Sequence, residues 1–259
     1  MKPALAALAL LLAVSPAAAQ EAGAEGQNAW TWVERDGVVM ASVAYASGPA
    51  LAVRCLPGNA FQVLLAGLPA AEPDAFTRTL EVTQPNGELA ESSWVVAQDR
   101  SVAFALSPSR TARSFRSGPR FTVRAPTTAG RHTRLELDLP SETAALDRVL
   151  QACNRPLEDE ADLEVLPAGS AGTIDWAQRP RPNYPRAAEA ARVTEGATVL
   201  DCGVLVTGRL EGCRIEAEFP YGMGFGGEAL QASWTARLTT DSAQNTKGRA
   251  RFTIRFRLQ

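Results

Sequence analysis

The sequence predicts an α+β protein made of two domains. The N-terminal domain is expected to be all-β, of the sandwich or barrel type, with a helix at its end. The C-terminal domain is expected to have the order αββαβ and a three-stranded antiparallel sheet. Three patterns indicate this fold class: short β-branched and aromatic runs over 30–139, helical apolar spacing over 146–153, and strict alternation over 249–258.

The candidate strands of the first domain are short and are separated by turn residues. They span 30–34, 38–44, 51–56, 61–65, 78–83, 93–97, 102–106, 120–124 and 133–137. Asp36-Gly37 and Asn86-Gly87 supply strong turn signals between such runs. Many short strands at this spacing are typical of a sandwich or barrel.

A helix is predicted to close this domain, with Ser141 as its N-cap residue. Its apolar residues recur at helical spacing and form one stripe that consists of Leu146, Val149, Leu150 and Cys153. Because Cys153 lies on this buried face, it can reach Cys55 on the candidate strand 51–56. We therefore expect a disulfide that ties the helix to an early strand.

Composition and charge exclude two classes of function. Hydrophobic residues make up 46% of the 259 residues and charged residues 21%, so the chain can bury a core. A formal net charge of −2 argues against nucleic-acid binding, which needs a surplus of basic residues. A metal site built on several histidines is excluded because His132 is the sole histidine. We expect no cofactor.

The first residues have the pattern of a secretory signal peptide. Lys2 supplies a positive charge, the apolar run 4–14 follows, and the small residues 17–19 offer a cleavage site. The alternative is an uncleaved anchor, but this run is shorter than the roughly 20 residues that span a bilayer. We expect residues 1–19 to be removed, which leaves a periplasmic protein without a transmembrane segment.

In an exported protein, four cysteines are more typical of disulfides than of zinc ligands or nucleophiles. A hairpin turn at 207–208 would place Cys202 opposite Cys213, with Cβ atoms about 5 Å apart. The same register sets three further pairs opposite each other: Asp201 with Arg214, Leu200 with Ile215, and Leu205 with Leu210. A bulge at Gly203 or Gly212 would shift this register.

The predicted domains, 20–155 and 173–259, are joined by an acidic, Gly-containing segment at 156–172. Its composition is typical of a solvated linker, although a functional acidic tether is an alternative. In the C-terminal domain, the predicted elements are a helix at 186–192, strands at 197–206 and 209–218, a helix at 227–238, and a strand at 248–258. Leu230, Trp234 and Leu238 would share one face of the second helix.

The last strand carries a polar face opposite its apolar one. This arginine row consists of Arg249, Arg251, Thr253, Arg255 and Arg257. Two interpretations are open: the row binds an acidic partner, or its charges only protect an edge strand from aggregation.

Five residues of this domain, in their order and spacing, resemble a known family. They are Tyr184, Pro185, Gly208, Leu230 and Trp234. Over 174–258 the sequence resembles the TonB C-terminal domain, part of the energy transducer of Gram-negative envelopes. The resemblance implies a compact domain that binds another envelope protein by pairing a receptor peptide with its sheet edge. The glycine-rich stretch 218–227 and the two cysteines depart from the family pattern.

The functional prediction is a protein-binding module of the periplasm, with a link to outer-membrane transport implied by the resemblance. We do not carry over energy transduction, because we expect neither the anchor nor the Pro-rich spacer of that family. The alternatives are a small-ligand-binding or structural envelope protein, or a hydrolase. No catalytic motif surrounds His132 or Ser170, and the glycines at 222–227 fit a helix start better than an anion site, so we expect no enzyme. The role of the first domain and the oligomeric state stay open.

Overall fold

One antiparallel sheet of nine strands forms the N-terminal region of the computed structural model, which describes residues 29–84, 86–163 and 174–258. The strands are β1 (Thr31–Arg35), β2 (Val38–Ala44), β3 (Ala50–Leu56), β4 (Ala60–Ala66), β5 (Thr77–Thr83), β6 (Leu89–Val96), β7 (Ala103–Ala105), β8 (Arg120–Pro126) and β9 (His132–Asp138). Their order across the sheet is β1-β2-β3-β4-β7-β6-β5-β8-β9. Each predicted strand is present, with ends that differ by a few residues. The predicted signal peptide, 1–19, lies outside the described residues.

This sheet surrounds a single hydrophobic core. Buried residues from β2 through β9 belong to one cluster, so strands near both ends of the sheet contribute to it. Tyr45, after β2, donates a hydrogen bond from Oη to the carbonyl of Asp138 at the end of β9, at 3.0 Å. Among the described strands, β1 and β9 do not pair with each other, so the sheet does not close on itself.

Two helices cover the core. The first, α1 (Pro108–Ser117), was not predicted, and the second, α2 (Ala144–Ala152), matches the predicted helix. The predicted stripe of α2 is buried in the core. Its N-cap is Thr143 rather than Ser141, because the first helical bond joins the amide of Asp147 to the carbonyl of Thr143.

The C-terminal region contains the predicted order of elements and three short additions. The elements are β10 (Trp176–Gln178), α3 (Arg186–Ala190), β11 (Glu195–Val204), β12 (Leu210–Phe219), α4 (Phe225–Ser233), β13 (Arg237–Leu238), α5 (Thr240–Asn245) and β14 (Arg249–Arg257). Within this described part, β12, β11 and β14 form a three-stranded antiparallel sheet, and β10 pairs with β13. The additions are β10, β13 and α5.

Helix α4 is shorter than predicted. It ends at Ser233, so Trp234 stands just outside it with 76% of its surface exposed, while Leu238 is buried in β13. The expectation that these residues share one helical face was therefore wrong. Ser233 and Thr235 donate hydroxyl hydrogen bonds to carbonyls of the last turn, which competes with further helical bonding.

The β11–β12 hairpin keeps the predicted register next to its disulfide and departs from it on both sides, where Val199 pairs with Ala217 and at the turn. Leu200 and Asp201 pair as predicted, with Ile215 and Arg214. Gly212 then adopts a φ of +55°, which only glycine accommodates easily, and produces a bulge. Val204 rather than Leu205 is consequently the register partner of Leu210. This is the kind of shift that a bulge at Gly203 or Gly212 was expected to cause.

All four cysteines are paired as expected from the sequence. Cys55 on β3 is bonded to Cys153 at the end of α2, with 5.4 Å between Cα atoms. Cys202 on β11 is bonded to Cys213 on β12. Each bridge thus lies within one of the two regions.

The two regions pack against each other through an apolar cluster. Its buried members come from both sides of the contact and are Val95, Leu106, Ala197, Val199, Ala217 and Phe219. Phe104 of β7 packs against Phe219 of β12, with ring centroids 5.4 Å apart. The opposite face of the three-stranded sheet packs on α4 through Leu200 and Phe225. None of the helices in the described part of the chain has the length and apolarity needed to span a bilayer.

Candidate protein-binding site

Strand β14 is an edge strand of the C-terminal sheet. In the described residues it pairs with β11 and with no other strand. Val204 and Leu258 donate amide hydrogen bonds to the carbonyls of Gly248 and Thr194, at 2.8 and 2.9 Å. In an antiparallel pair, the N–H and C=O groups of successive residues point alternately towards the partner strand and away from it. Since Gly248 and Leu258 bond to β11 and its flanking residue, the even-numbered residues of β14 direct these groups towards β11. The odd-numbered groups, including those of Thr253 and Arg255, point outwards.

The arginine row lies on the face of the sheet that is turned towards the N-terminal region. Arg255 and Thr253 are register partners of Ala197 and Val199, whose side chains belong to the apolar cluster between the regions. The opposite face of β14, which includes Ile254, is buried against α4. The predicted alternation of this strand is confirmed, and its polar face is partly covered by the rest of the protein.

Asp201 of β11 draws three arginines together at one end of the row. Its side chain is 3% exposed and accepts hydrogen bonds from Arg249 Nε and Nη2 at 2.8 and 2.6 Å. Arg214 Nη2 and Arg251 Nη2 approach it to 2.9 and 3.3 Å. Burial alone would raise the pKa of Asp201, but the hydrogen bonds from Arg249 and Arg214 and the charge of Arg251 hold this pKa well below its usual range.

The beginning of the predicted linker is buried in the same network. We call residues 156–163 the strap. The side chains of Asp159 and Asp162 are each 8% exposed and pair with Arg113 of α1. Asp159 also accepts hydrogen bonds at 2.9 Å from Arg249. The expectation that these two acids are solvated was wrong, because the fold brings arginines from α1 and β14 to them.

A second buried ion pair lies nearby between the two regions. Glu216 of β12 is fully buried, and its Oε2 lies 3.3 Å from Nη1 of Arg155. Arg155 Nη2 donates to the carbonyl of Ile215 at 2.9 Å, and the amide of Ser109 donates to Glu216 Oε1 at 3.0 Å. Burial lowers the pKa of Arg155 from its usual value, and the charge of Glu216 opposes that shift.

The other end of the row stays open. Thr253, Arg255 and Arg257 are exposed; Arg255 reaches Thr77 at 3.4 Å and Arg257 pairs with Glu195. A groove of about 430 Å³ runs beside this end of β14. Residues of both regions line the groove, among them Asp74, Phe76, Thr77, Arg255 and Phe256. The row predicted as one partner-binding surface is therefore divided, since Arg249 and Arg251 are engaged internally.

Three of the residues that carry the family resemblance lie within the C-terminal domain and away from the open edge of β14. Tyr184 donates to the carbonyl of Val193 at 2.5 Å and packs edge-on against Phe225. Pro185 precedes α3, and Leu230 packs against the core under α4. None of these contacts involves the open edge, so the motif residues support the domain rather than its candidate site.

The residues considered for catalysis or anion binding form no second site in the described part of the chain. His132 is exposed at the start of β9, and Ser170 lies outside the described residues. Glu218 accepts a hydrogen bond at 3.0 Å from the amide of Gly224, so a side chain of the protein already occupies the start of α4. Over 29–84, 86–163 and 174–258, no group of three or more His, Cys, Asp or Glu could hold a metal ion.

Comparison with protein-family models gives no match to this chain, and comparison with curated proteins gives none either. The resemblance to the TonB C-terminal domain therefore stays a prediction.

Proposed function

We propose that this protein is an exported envelope protein that binds an extended segment of another envelope protein along the outer edge of β14. The observation that carries the proposal is the open edge: outward backbone groups from 251 to 257 beside exposed polar side chains. Each main-chain hydrogen bond to an added strand contributes about 0.5–1.5 kcal/mol net. The two disulfides support an oxidising compartment outside the cytoplasm.

The two faces of β14 define which peptide fits. A strand that adds to this edge places alternate side chains beside Thr253, Arg255 and Arg257, where acidic residues are favoured. Its other side chains lie towards half-buried Phe252, where apolar residues are favoured. The expected partner segment therefore alternates between acidic and apolar residues, and its binding weakens as salt screens the charges.

Substitutions at Thr253 test this proposal. The amide of Thr253 points away from β11, so Thr253→Pro removes an outward donor and leaves the bonds to β11 in place. Thr253→Ala is the matched control, because it changes the same side chain and keeps the donor. The measurement is capture of a partner from cell-envelope extract by each tagged protein, with folding checked by circular dichroism.

We expect the alanine variant to capture the partner as the parent does and the proline variant to lose it. Arg255→Glu should weaken capture as well, since it reverses a charge beside the added strand. If both the proline and the glutamate variants are folded and capture the partner fully, the edge of β14 is not the binding site.

A further inference from the structure

Helix α1 holds the main chain of the strap with a stripe of arginines. Arg110, Arg113 and Arg116 are three residues apart, so they follow one side of the helix. Arg116 Nη1 donates to the carbonyl of Leu157 at 2.6 Å, and Arg113 Nη1 to that of Pro156 at 3.3 Å. Arg110 Nη2 donates to the carbonyl of Asp162 at 3.2 Å. Recognition of carbonyl groups does not depend on the side chains of the bound segment.

The acidic side chains of the strap supply the second half of the contact. Asp162 pairs with Nε and Nη2 of Arg113, and Asp159 lies between Arg113 and Arg249. The two aspartates are three residues apart, and a 3-10 turn over Glu160–Leu163 begins next to Asp159. Glu158 and Glu160 are exposed. The cleft thus selects two of the four acids in the strap.

We propose that the cleft between α1 and β14 is a binding site for acidic peptides, and that the strap is its resident occupant. The ligand class is a segment with two carboxylates three residues apart that can form a 3-10 turn. By filling the cleft, the strap competes with any external acidic segment for Arg113 and Arg249. This site is on the inner side of the arginine row and is independent of the outer edge of β14.

The proposal depends on the contacts that hold the strap, since an external acidic segment could make the same contacts with the arginines. Arginine–carboxylate pairs and arginine–carbonyl bonds are available to any segment of the same chemistry, and the association of a free acidic segment with arginines is weakened by salt. Leu157 contributes a partly buried apolar contact. A connector with a purely structural role gains as much from apolar residues as from buried ion pairs, because burial of charge costs solvation.

The test uses the full-length mature chain with Asp159→Asn and Asp162→Asn together. The probe is a fluorescent synthetic peptide with the sequence of 156–163, and the control peptide has asparagine at both aspartate positions. The matched control protein carries Glu158→Gln and Glu160→Gln, which remove the same amount of charge from exposed positions. Binding is measured by fluorescence anisotropy at low salt and again at high salt.

We expect the double asparagine variant to bind the acidic peptide at least about tenfold more tightly than the parent or the glutamine variant does. The asparagine peptide should bind weakly to all three proteins, and high salt should reduce the difference. If the folded double variant binds no more tightly than the parent, or binds both peptides equally, the proposal is overturned.

Two further variants complete the test: one replaces the double variant if that variant does not fold, and the other locates the bound peptide. Should the double variant not fold, Asp159→Asn alone makes the same test, because it removes the carboxylate that bridges Arg113 and Arg249. Equal binding by this variant and the parent then overturns the proposal. Adding Thr253→Pro to the asparagine variant should leave peptide binding unchanged. A loss of binding on that addition would place the peptide at the outer edge and would contradict a separate site in the cleft.

Discussion

Replacement of Asp201 by asparagine tests whether the arginine network stabilises the protein. The substitution keeps the shape of the side chain but leaves Arg214, Arg249 and Arg251 around a neutral group. Removing one partner of a buried ion pair costs about 3–5 kcal/mol. Because the Arg214 and Arg249 side chains are 39% and 35% exposed, water replaces part of the lost interaction. We therefore expect a loss of about 2–3 kcal/mol in the free energy of unfolding.

The pH dependence of this loss has a defined sign. The folded-state pKa of Asp201 is held below its usual value, so the unfolded chain takes up the proton first as the pH falls. The stabilisation is complete above about pH 5, well above the unfolded pKa of about 3.9, and is lost progressively at lower pH. The difference between the parent and Asp201→Asn should therefore be constant near neutral pH and should shrink in acid.

Urea unfolding without reductant, followed by circular dichroism at several pH values, measures this difference. Asp36→Asn is the control, because Asp36 pairs with Arg35 on the surface and its loss should cost no more than about 0.5 kcal/mol. If Asp201→Asn unfolds within that same margin of the parent at neutral pH, the network does not stabilise the fold as argued.

Other predictions concern packing, the hairpin turn and the disulfides. Phe225→Ala should cost about 3–5 kcal/mol because Phe225 is fully buried, whereas exposed Trp234→Ala should change stability by less than about 0.5 kcal/mol; thermal unfolding of both variants compares them. Gly208→Ala should lower the melting temperature, since Gly208 has a φ of +78° and a Cβ there would lie 2.2 Å from the carbonyl oxygen of Leu238. Thiol titration of the unreduced protein should find no free cysteine. Peptide mapping should find the pairs Cys55–Cys153 and Cys202–Cys213.

Features fixed by neighbouring residues were predictable from the sequence. The alternation of 249–258 identifies the buried face of β14 because the side-chain period of a strand is two. The spacing of Leu146, Val149, Leu150 and Cys153 likewise places Cys153 on the buried face of α2, from which the first disulfide follows. Turn residues mark the strand ends in the same local way.

Helix α1 was missed because its apolar stripe is short and consists only of Pro108, Ala112 and Phe115. Ala112 and Phe115 are its buried hydrophobic residues beside Pro108, and the rest of the helix is serine, threonine and arginine. Its burial depends on partners that are distant in sequence, such as Asp147 for Arg116 and Asp162 for Arg113. The available signals were Pro108 directly after Ser107, the spacing of the three apolar residues and the arginines at intervals of three, and none of them identifies a binding partner.

The strap illustrates the same limit for a candidate site. Five acids between 158 and 164 are typical of a solvated segment when they are considered alone. Two of them are buried because α1 and β14, which are far apart in sequence, both present arginines to 156–163. Charge in a sequence indicates a cost of burial, and the fold determines whether that cost is compensated.

The structure also bears on the two interpretations of the arginine row. Arg249 and Arg251 contact Asp201 and are only partly accessible, so they contribute little to protection of an exposed edge. Protection would rest on Arg255 and Arg257, which stand beside the outward backbone groups and the groove at the end of β14. The same two side chains are the ones an acidic strand would meet on pairing. Charges that repel a second copy of this edge also attract a segment of opposite charge, so one pair of arginines can prevent self-association and select the partner.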